Sequence, residues 1–147
     1  MYAHLMVPTD GAKLSDKAVA HAIALAQALH AKITFFYASP PFPLPAYADG
    51  VIYEPLSKRE YVRLAAREAE QILGRAVDKA TAAGVECARL HSTASTPWDA
   101  ILKGAKKTKC DAIVMASHGR SGLSAMLLGS ETQKVLTHSK LPVLVVR

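Results

Sequence analysis

Ala112-Ile113-Val114-Met115-Ala116, followed directly by Ser117-His118-Gly119-Arg120-Ser121-Gly122, is the stretch on which the fold is decided. Five apolar residues without a polar break describe a strand buried on both faces, as in the middle of a parallel sheet. A glycine- and serine-containing run leads on to Ser130, where Ser130 and Gln133 form a capping-box pair that opens a last helix to about His138. Glycines at a strand-to-helix turn, with backbone N–H groups at the helix start, make a phosphate cradle. The same glycines also serve as plain turn chemistry. Ser130 can cap the helix and offer its hydroxyl to a phosphate oxygen, and Arg120 adds a forked cationic donor.

Working outward, short apolar runs alternate with longer helical periods, the signature of βαβ units around a parallel sheet. A first strand, His4 to Val7, is cut off by Pro8, Thr9, Asp10 and Gly11. Helix one follows Ser15 and Asp16, with Val19, Ala22, Ile23, Ala26 and Leu29 on one face. Strand two runs from Lys32 to Ala38. The stretch Ser39 to Pro55, broken by five prolines and Gly50, reads as an irregular excursion, either a lid or an ordered surface loop. Ser57 and Glu60 form a capping box for helix two, which continues to about Ala83. Its stripe of Tyr61, Leu64, Glu68, Ile72, Ala76 and Ala80 is interrupted by one charge, Glu68. Strand three is Val85 to Leu90, and Thr96 caps helix three with Pro97 at its first position. Pro142 leads into a final strand, Val143 to Val146. The expectation is one α/β domain over residues 1–147: a doubly wound, five-stranded parallel sheet of order 3-2-1-4-5, Rossmann-like, with helices on both faces.

Composition narrows the function. Lys plus Arg is 18 against 12 for Asp plus Glu, a formal charge of +6 that suits an anionic partner. The densest run, Lys103, Lys106, Lys107 and Lys109, sits at a helix end, where cations complement the helix dipole. No aromatic residues interleave with it, so nucleic acid ranks last among the partners. Cys87 and Cys110 form no CxxC pattern, and the opening residues do not read as a signal peptide. A cytoplasmic location is expected. No run approaches the length that crosses a bilayer, so no membrane partner is expected. Nor do the six histidines pair as zinc ligands.

Ligands of open parallel sheets bind beyond the carboxyl ends of the strands, where the strand order reverses. The loops at that edge are Pro8 to Gly11, Ala38 onward, and Ser117 to Ser130. On these residues the chain resembles the universal stress protein family over essentially its full length. The ATP-binding branch of that family carries Gly, two residues, Gly, nine residues, then Gly with Ser or Thr. Here Ala116-Ser117-His118-Gly119 is followed by the nine residues Arg120 to Leu128 and then Gly129-Ser130, so the first motif glycine is Ala116. The opening Val7-Pro8-Thr9-Asp10 and the closing Leu141-Pro142-Val143-Leu144-Val145-Val146 also match. If the motif's first glycine needs positive φ or close approach, the extra methyl weakens binding; at ordinary φ it is tolerated.

The resemblance implies ATP bound with Mg2+ or Mn2+. It places Asp10 at the ribose or beside the adenine, with Pro8 and Thr9 shaping that wall, and Ala38 at the adenine through its backbone. Met115 and Ala116 line the base and ribose. Gly119, Gly129, Ser130 and the backbone of Glu131 hold the phosphates, with Arg120 close by. It further implies a homodimer through the final strand. Asp10 could instead serve only as a turn cap, and His118, also a candidate at this site, could poise a proton there or be a loop histidine hydrogen-bonded to backbone. Trp98 is expected to pack at the sheet edge, while His91 and Ser92 stand at a strand tip within reach of a ligand. Three functions fit these residues. One is an ATP-binding stress-response or regulatory protein with slow or no hydrolysis and an unidentified protein partner. The others are an enzyme cleaving ATP at the α-phosphate, and a nucleotide-free dimeric scaffold.

Overall fold

Strands and helices alternate as the hydrophobic pattern requires. The computed structural model describes every residue except 45, 49, 54–56 and 121–126, with the backbone alone at 46–48 and 51–53. In chain order the elements are β1 (His4–Pro8), α1 (Lys13–Leu29), β2 (Lys32–Ser39), β3 (Ala46–Ala48), β4 (Val51–Tyr53), α2 (Lys58–Ala82), β5 (Cys87–Thr93), α3 (Pro97–Lys107), β6 (Ala112–Ala116), α4 (Ser130–His138) and β7 (Val143–Val146). Five strands form one parallel sheet in the order β5-β2-β1-β6-β7. Numbered among themselves, these strands run 3-2-1-4-5, as expected.

Alternation along the strands divides the core into two layers. Leu5, Val7, Ile33, Phe35, Tyr37 and Val114 face α1 and α2, meeting Val19, Ala22, Ile72 and Ala76. Met6, Phe36, Ile113 and Met115 face α3 and α4, meeting Ile101, Ala105 and Val135. Because β6 is buried on both faces, its sequence shows no polar alternation.

Several boundaries differ from the sequence expectation. β5 starts later, at Cys87, and runs on to Thr93, because β2 offers it partners as far as Ser39. The excursion after β2 is not irregular throughout: β3 and β4 pair antiparallel, with Gly50 at φ +74° in the turn. α1 begins at Lys13, before Ser15, and Ala12 at its start supplies no side-chain cap. On α2 the buried residues begin only at Ala69, so Leu64 is exposed although it continues the apolar stripe. The first turns of α2 extend past the sheet; there the Tyr61 hydroxyl donates to the carbonyls of Pro40 and Pro41. Among the described residues, no helix is long and apolar enough to cross a membrane.

Candidate functional site

The strand order reverses between β1 and β6, and the ends of these two strands are stitched together. After β1, the Thr9 N–H donates to the Phe36 carbonyl at 2.8 Å. Ser15 folds back from the first turn of α1. Its hydroxyl donates to Thr9 Oγ1 at 2.8 Å and accepts from the Asp10 N–H at 3.1 Å. The loop is thus locked by a buried serine that the sequence suggested only as a helix-start signal. Asp10 bridges two elements: Oδ1 accepts from the Ala12 N–H and Oδ2 from the Arg120 N–H, each at 2.9 Å. Asp10 therefore closes its own turn and also lines the cavity at this edge.

The hydrogen-bond direction of β2 alternates. Lys32 and Phe36 bond toward β1, while Ile33 and Ser39 bond toward β5. Ala38, by the same parity, turns its N–H and C=O toward β1, which has ended two residues earlier in register, at Pro8↔Phe36. Among the described residues this donor–acceptor pair has no β1-side backbone partner.

Beyond β6, the Ser117 N–H donates to Val146 and the Gly129 N–H returns to the Ser117 carbonyl at 2.7 Å. A Cβ on Gly129 would lie 3.0 Å from His118 Cα, so the glycine is what lets α4 start against this strand end. Thr132 fixes the same junction by donating its hydroxyl to the Ala116 carbonyl at 3.0 Å. The proposed capping box is absent. Gly129 is the N-cap, Ser130 is the first helical residue, and the Gln133 side chain donates to Leu128 instead. The Ser130 hydroxyl therefore does not cap the helix. The N–H groups of Ser130, Glu131 and Thr132 have no acceptor among the described residues. Ala116 ends a regular strand and is not among the residues with positive φ, so its methyl meets the tolerant condition stated above.

Glu131 has a use that the sequence did not reveal. Its carboxylate accepts the Trp98 N–H at 2.7 Å, capping α3 from the start of α4. Thr96 occupies the N-cap position but makes no side-chain bond, because this incoming carboxylate takes its role. Trp98 stacks on His138 with ring centroids 4.6 Å apart, which pins the two helices together.

The residues that the sequence reading assigned to nucleotide binding, from Pro8 to Glu131, line one cavity of about 500 Å3, whereas Ser92 at the tip of β5 does not. The cavity also takes in Ser15, Phe36, Tyr37, Pro97, Ile101, Leu127, Leu128 and Thr132, which the sequence reading passed over. Phe36 shares a strand face with Ala38, and Ile101 lies one turn after Pro97, so periodicity was the signal available for both. His118 reaches Ser117 Oγ with Nδ1 at 3.2 Å. His91 lies outside the lining; it stacks on Tyr37 and shares a hydrogen bond with Ser39.

Arg120 is oriented differently from a free phosphate ligand. Its Nη1 donates to Glu68 Oε1 of α2 at 2.9 Å, and this bond raises its pKa above the ordinary arginine value. Burial, then Glu68, pushes the Tyr37 phenol above its ordinary range. Among the described residues, no group of three His, Cys, Asp or Glu side chains could hold a metal. The nearby carboxylates of Asp10 and Glu131 already accept backbone N–H groups.

Comparisons with known proteins show the family and the fold. The model of the universal stress protein family matches residues 1–147. Universal stress protein MJ0531 of Methanocaldococcus jannaschii is 32% identical, the match covering 100% of this chain and 83% of that protein. The solved structure of hypothetical protein MJ0577 superposes with a TM-score of 0.81 at 23% identity, covering 99% of this chain and 96% of that one. A universal stress protein solved in complex with cAMP is 28% identical, with a TM-score of 0.66 and coverage of 99% and 97%.

Proposed function

The chain belongs to the universal stress protein family, and from that premise we propose that it binds an adenine nucleotide, ATP, at the carboxyl edge of its parallel sheet. One observation carries the reading. The N–H groups of Ser130, Glu131 and Thr132 open α4 toward the cavity, with no acceptor among the described residues. The partial positive charge of a helix start favours phosphate there. The Ser130 hydroxyl, released from capping, adds a donor.

At the other end, the Ala38 N–H and C=O complement the N1 acceptor and N6 donor of adenine, and Phe36, Ile101 and Met115 offer the ring an apolar wall. Asp10 keeps a lone pair on each oxygen for ribose hydroxyls. The similar family member solved with cAMP, itself an adenine nucleotide, supports the ligand class. Mg2+ or Mn2+ belongs to the reading as a partner of the phosphate oxygens, with the protein carboxylates otherwise engaged. The role is regulatory: ATP occupancy in a cytoplasmic stress response sets conformation or the choice of protein partner, with slow or no hydrolysis. A second copy of the chain covers the β7 edge, where Leu144 is 48% exposed.

Equilibrium dialysis with labelled ATP tests the assignment. Saturable binding that weakens in Gly129→Ala is the expected result; no binding at millimolar nucleotide would overturn it and favour the nucleotide-free scaffold.

A further inference from the structure

Glu68 breaks the apolar stripe of α2, and packing gives no reason for a charge at that position. Its carboxylate accepts from Arg120 Nη1 at 2.9 Å and lies close enough to the Tyr37 phenol to raise its pKa. Arg120 and Tyr37 line the cavity, whereas Glu68 does not. The backbone of Arg120 is anchored through its N–H to Asp10, so the half-exposed side chain pivots about a fixed point. The side chain is set toward α2. There the Arg120 Nη2 lies 3.5 Å, and the Arg75 Nη2 2.7 Å, from the point that a Cβ on Gly11 would occupy. Two guanidinium groups therefore crowd one loop, with Glu68 paired to the one that belongs to the cavity.

Resting on the adenine-nucleotide reading, we propose that Glu68 sets how strongly the site prefers a long phosphate tail, by competing with that tail for Arg120. A guanidinium fork is satisfied equally well by a carboxylate or by phosphate oxygens, so the two acceptors exclude one another. A nucleoside without phosphate leaves the Glu68–Arg120 pair intact. A tail that reaches Arg120 must first displace Glu68. Glu68 is not stranded when this happens: its carboxylate is about half exposed, so water takes the place of Arg120. Both partners are roughly half exposed, and ion pairs of this kind are worth about two- to five-fold in an equilibrium constant. Glu68 is thus a positioning residue that lowers discrimination among adenosine, AMP and ATP without touching any of them.

Calorimetric titration of adenosine, AMP and ATP into the full chain tests this, using wild type, Glu68→Gln, Arg120→Gln and the double variant. Glu68→Gln should tighten ATP about two- to five-fold and AMP less, while adenosine is unchanged. In the Arg120→Gln background, Glu68→Gln should have no effect on ATP. A Glu68→Gln shift common to all three ligands, no shift at all, or a shift that persists without Arg120 overturns the proposal. If wild type binds adenosine and ATP but the variants behave this way, the role of Glu68 alone is refuted. If wild type binds none of the three, the nucleotide reading falls and the role of Glu68 with it. Should Glu68→Gln fold poorly, Glu68→Asp, which keeps the charge but withdraws it by one methylene, should give a smaller gain for ATP. An ATP affinity equal to wild type in that variant refutes the proposal.

Discussion

Replacing Gly119 with alanine would place a methyl carbon 2.6 Å from Asp10 Oδ2 and 3.7 Å from Asp10 Cγ. Carbon and oxygen do not tolerate that approach, so the carboxylate must rotate. Oδ2 then leaves the Arg120 N–H and the bond from the Ala12 N–H is strained, both being 2.9 Å in the native arrangement. Hydrogen bonds to charged groups contribute about 1.5–3 kcal/mol, but water replaces part of this at a half-exposed carboxylate, leaving a net loss of about 1–2 kcal/mol. In a chain of 147 residues this lowers Tm by roughly 3–8 °C. The assay is thermal unfolding without ligand of Gly119→Ala, Asp10→Ala and the double variant. With Asp10 truncated the added methyl meets no obstacle, and alanine at 119 should cost no more than about 0.3–0.5 kcal/mol further. A ligand-free Gly119→Ala protein that melts like wild type would refute the reasoning, as would an equal loss in both backgrounds. Gly119 would then owe its identity to the ligand alone.

Three further outcomes follow from other contacts. His4 is buried with Nε2 2.8 Å from Thr34 Oγ1, and desolvation, then Lys32, holds its pKa below the ordinary 6.5. The folded chain therefore resists a proton that the unfolded chain accepts. Stability is full above about pH 6.5 and falls as pH drops toward the lowered value, with His91, lowered by burial, acting in the same direction. Urea unfolding across this range should give a shallower dependence for His4→Gln, and an unchanged slope would contradict the assignment. Glu131→Ala removes the bond to the Trp98 N–H and should cost about 1 kcal/mol while shifting Trp98 fluorescence; wild-type stability together with wild-type emission would count against the shared cap. Leu144→Lys should turn a sedimenting dimer into a monomer, and a wild-type mass that is monomeric at every concentration would remove the proposed β7 pairing.

The parallel sheet and its order were legible because β6 has no polar residue to interrupt it, and because each helix announces itself by an apolar stripe and a turn. Much of the cavity lining was legible for a related reason: at the carboxyl edge the loops after β1, β2 and β6 begin near Pro8, Ala38 and Ala116, where the apolar runs stop. What the sequence concealed were side chains working across long separations. Glu131 looks like an ordinary acidic residue in a first helical turn, yet it caps a helix 33 residues earlier. Glu68 and Arg120, 52 residues apart, show their connection only once α2 packs on β2 beside the loop that follows β1. The Ser130 capping box failed because Gly129 could approach the backbone of His118, moving the helix start back by one residue. The hairpin of β3 and β4 was hidden by the prolines around it, which drew attention away from the short β-forming run Val51–Tyr53.

The bond between Arg120 and Asp10 joins residues separated by 110 positions, and Asp111 receives the N–H groups of Ala3 and His4 across 108 and 107. These closures fix an order of assembly. During synthesis the first strand must wait, paired on one side only, until the chain has emerged as far as β6, which can then slot in beside it. A translation product that stopped short of residue 112 could build the β5-β2-β1 half of the sheet but would own only one bank of the crevice. For this topology the second bank of the crevice arrives only with β6 and the start of α4.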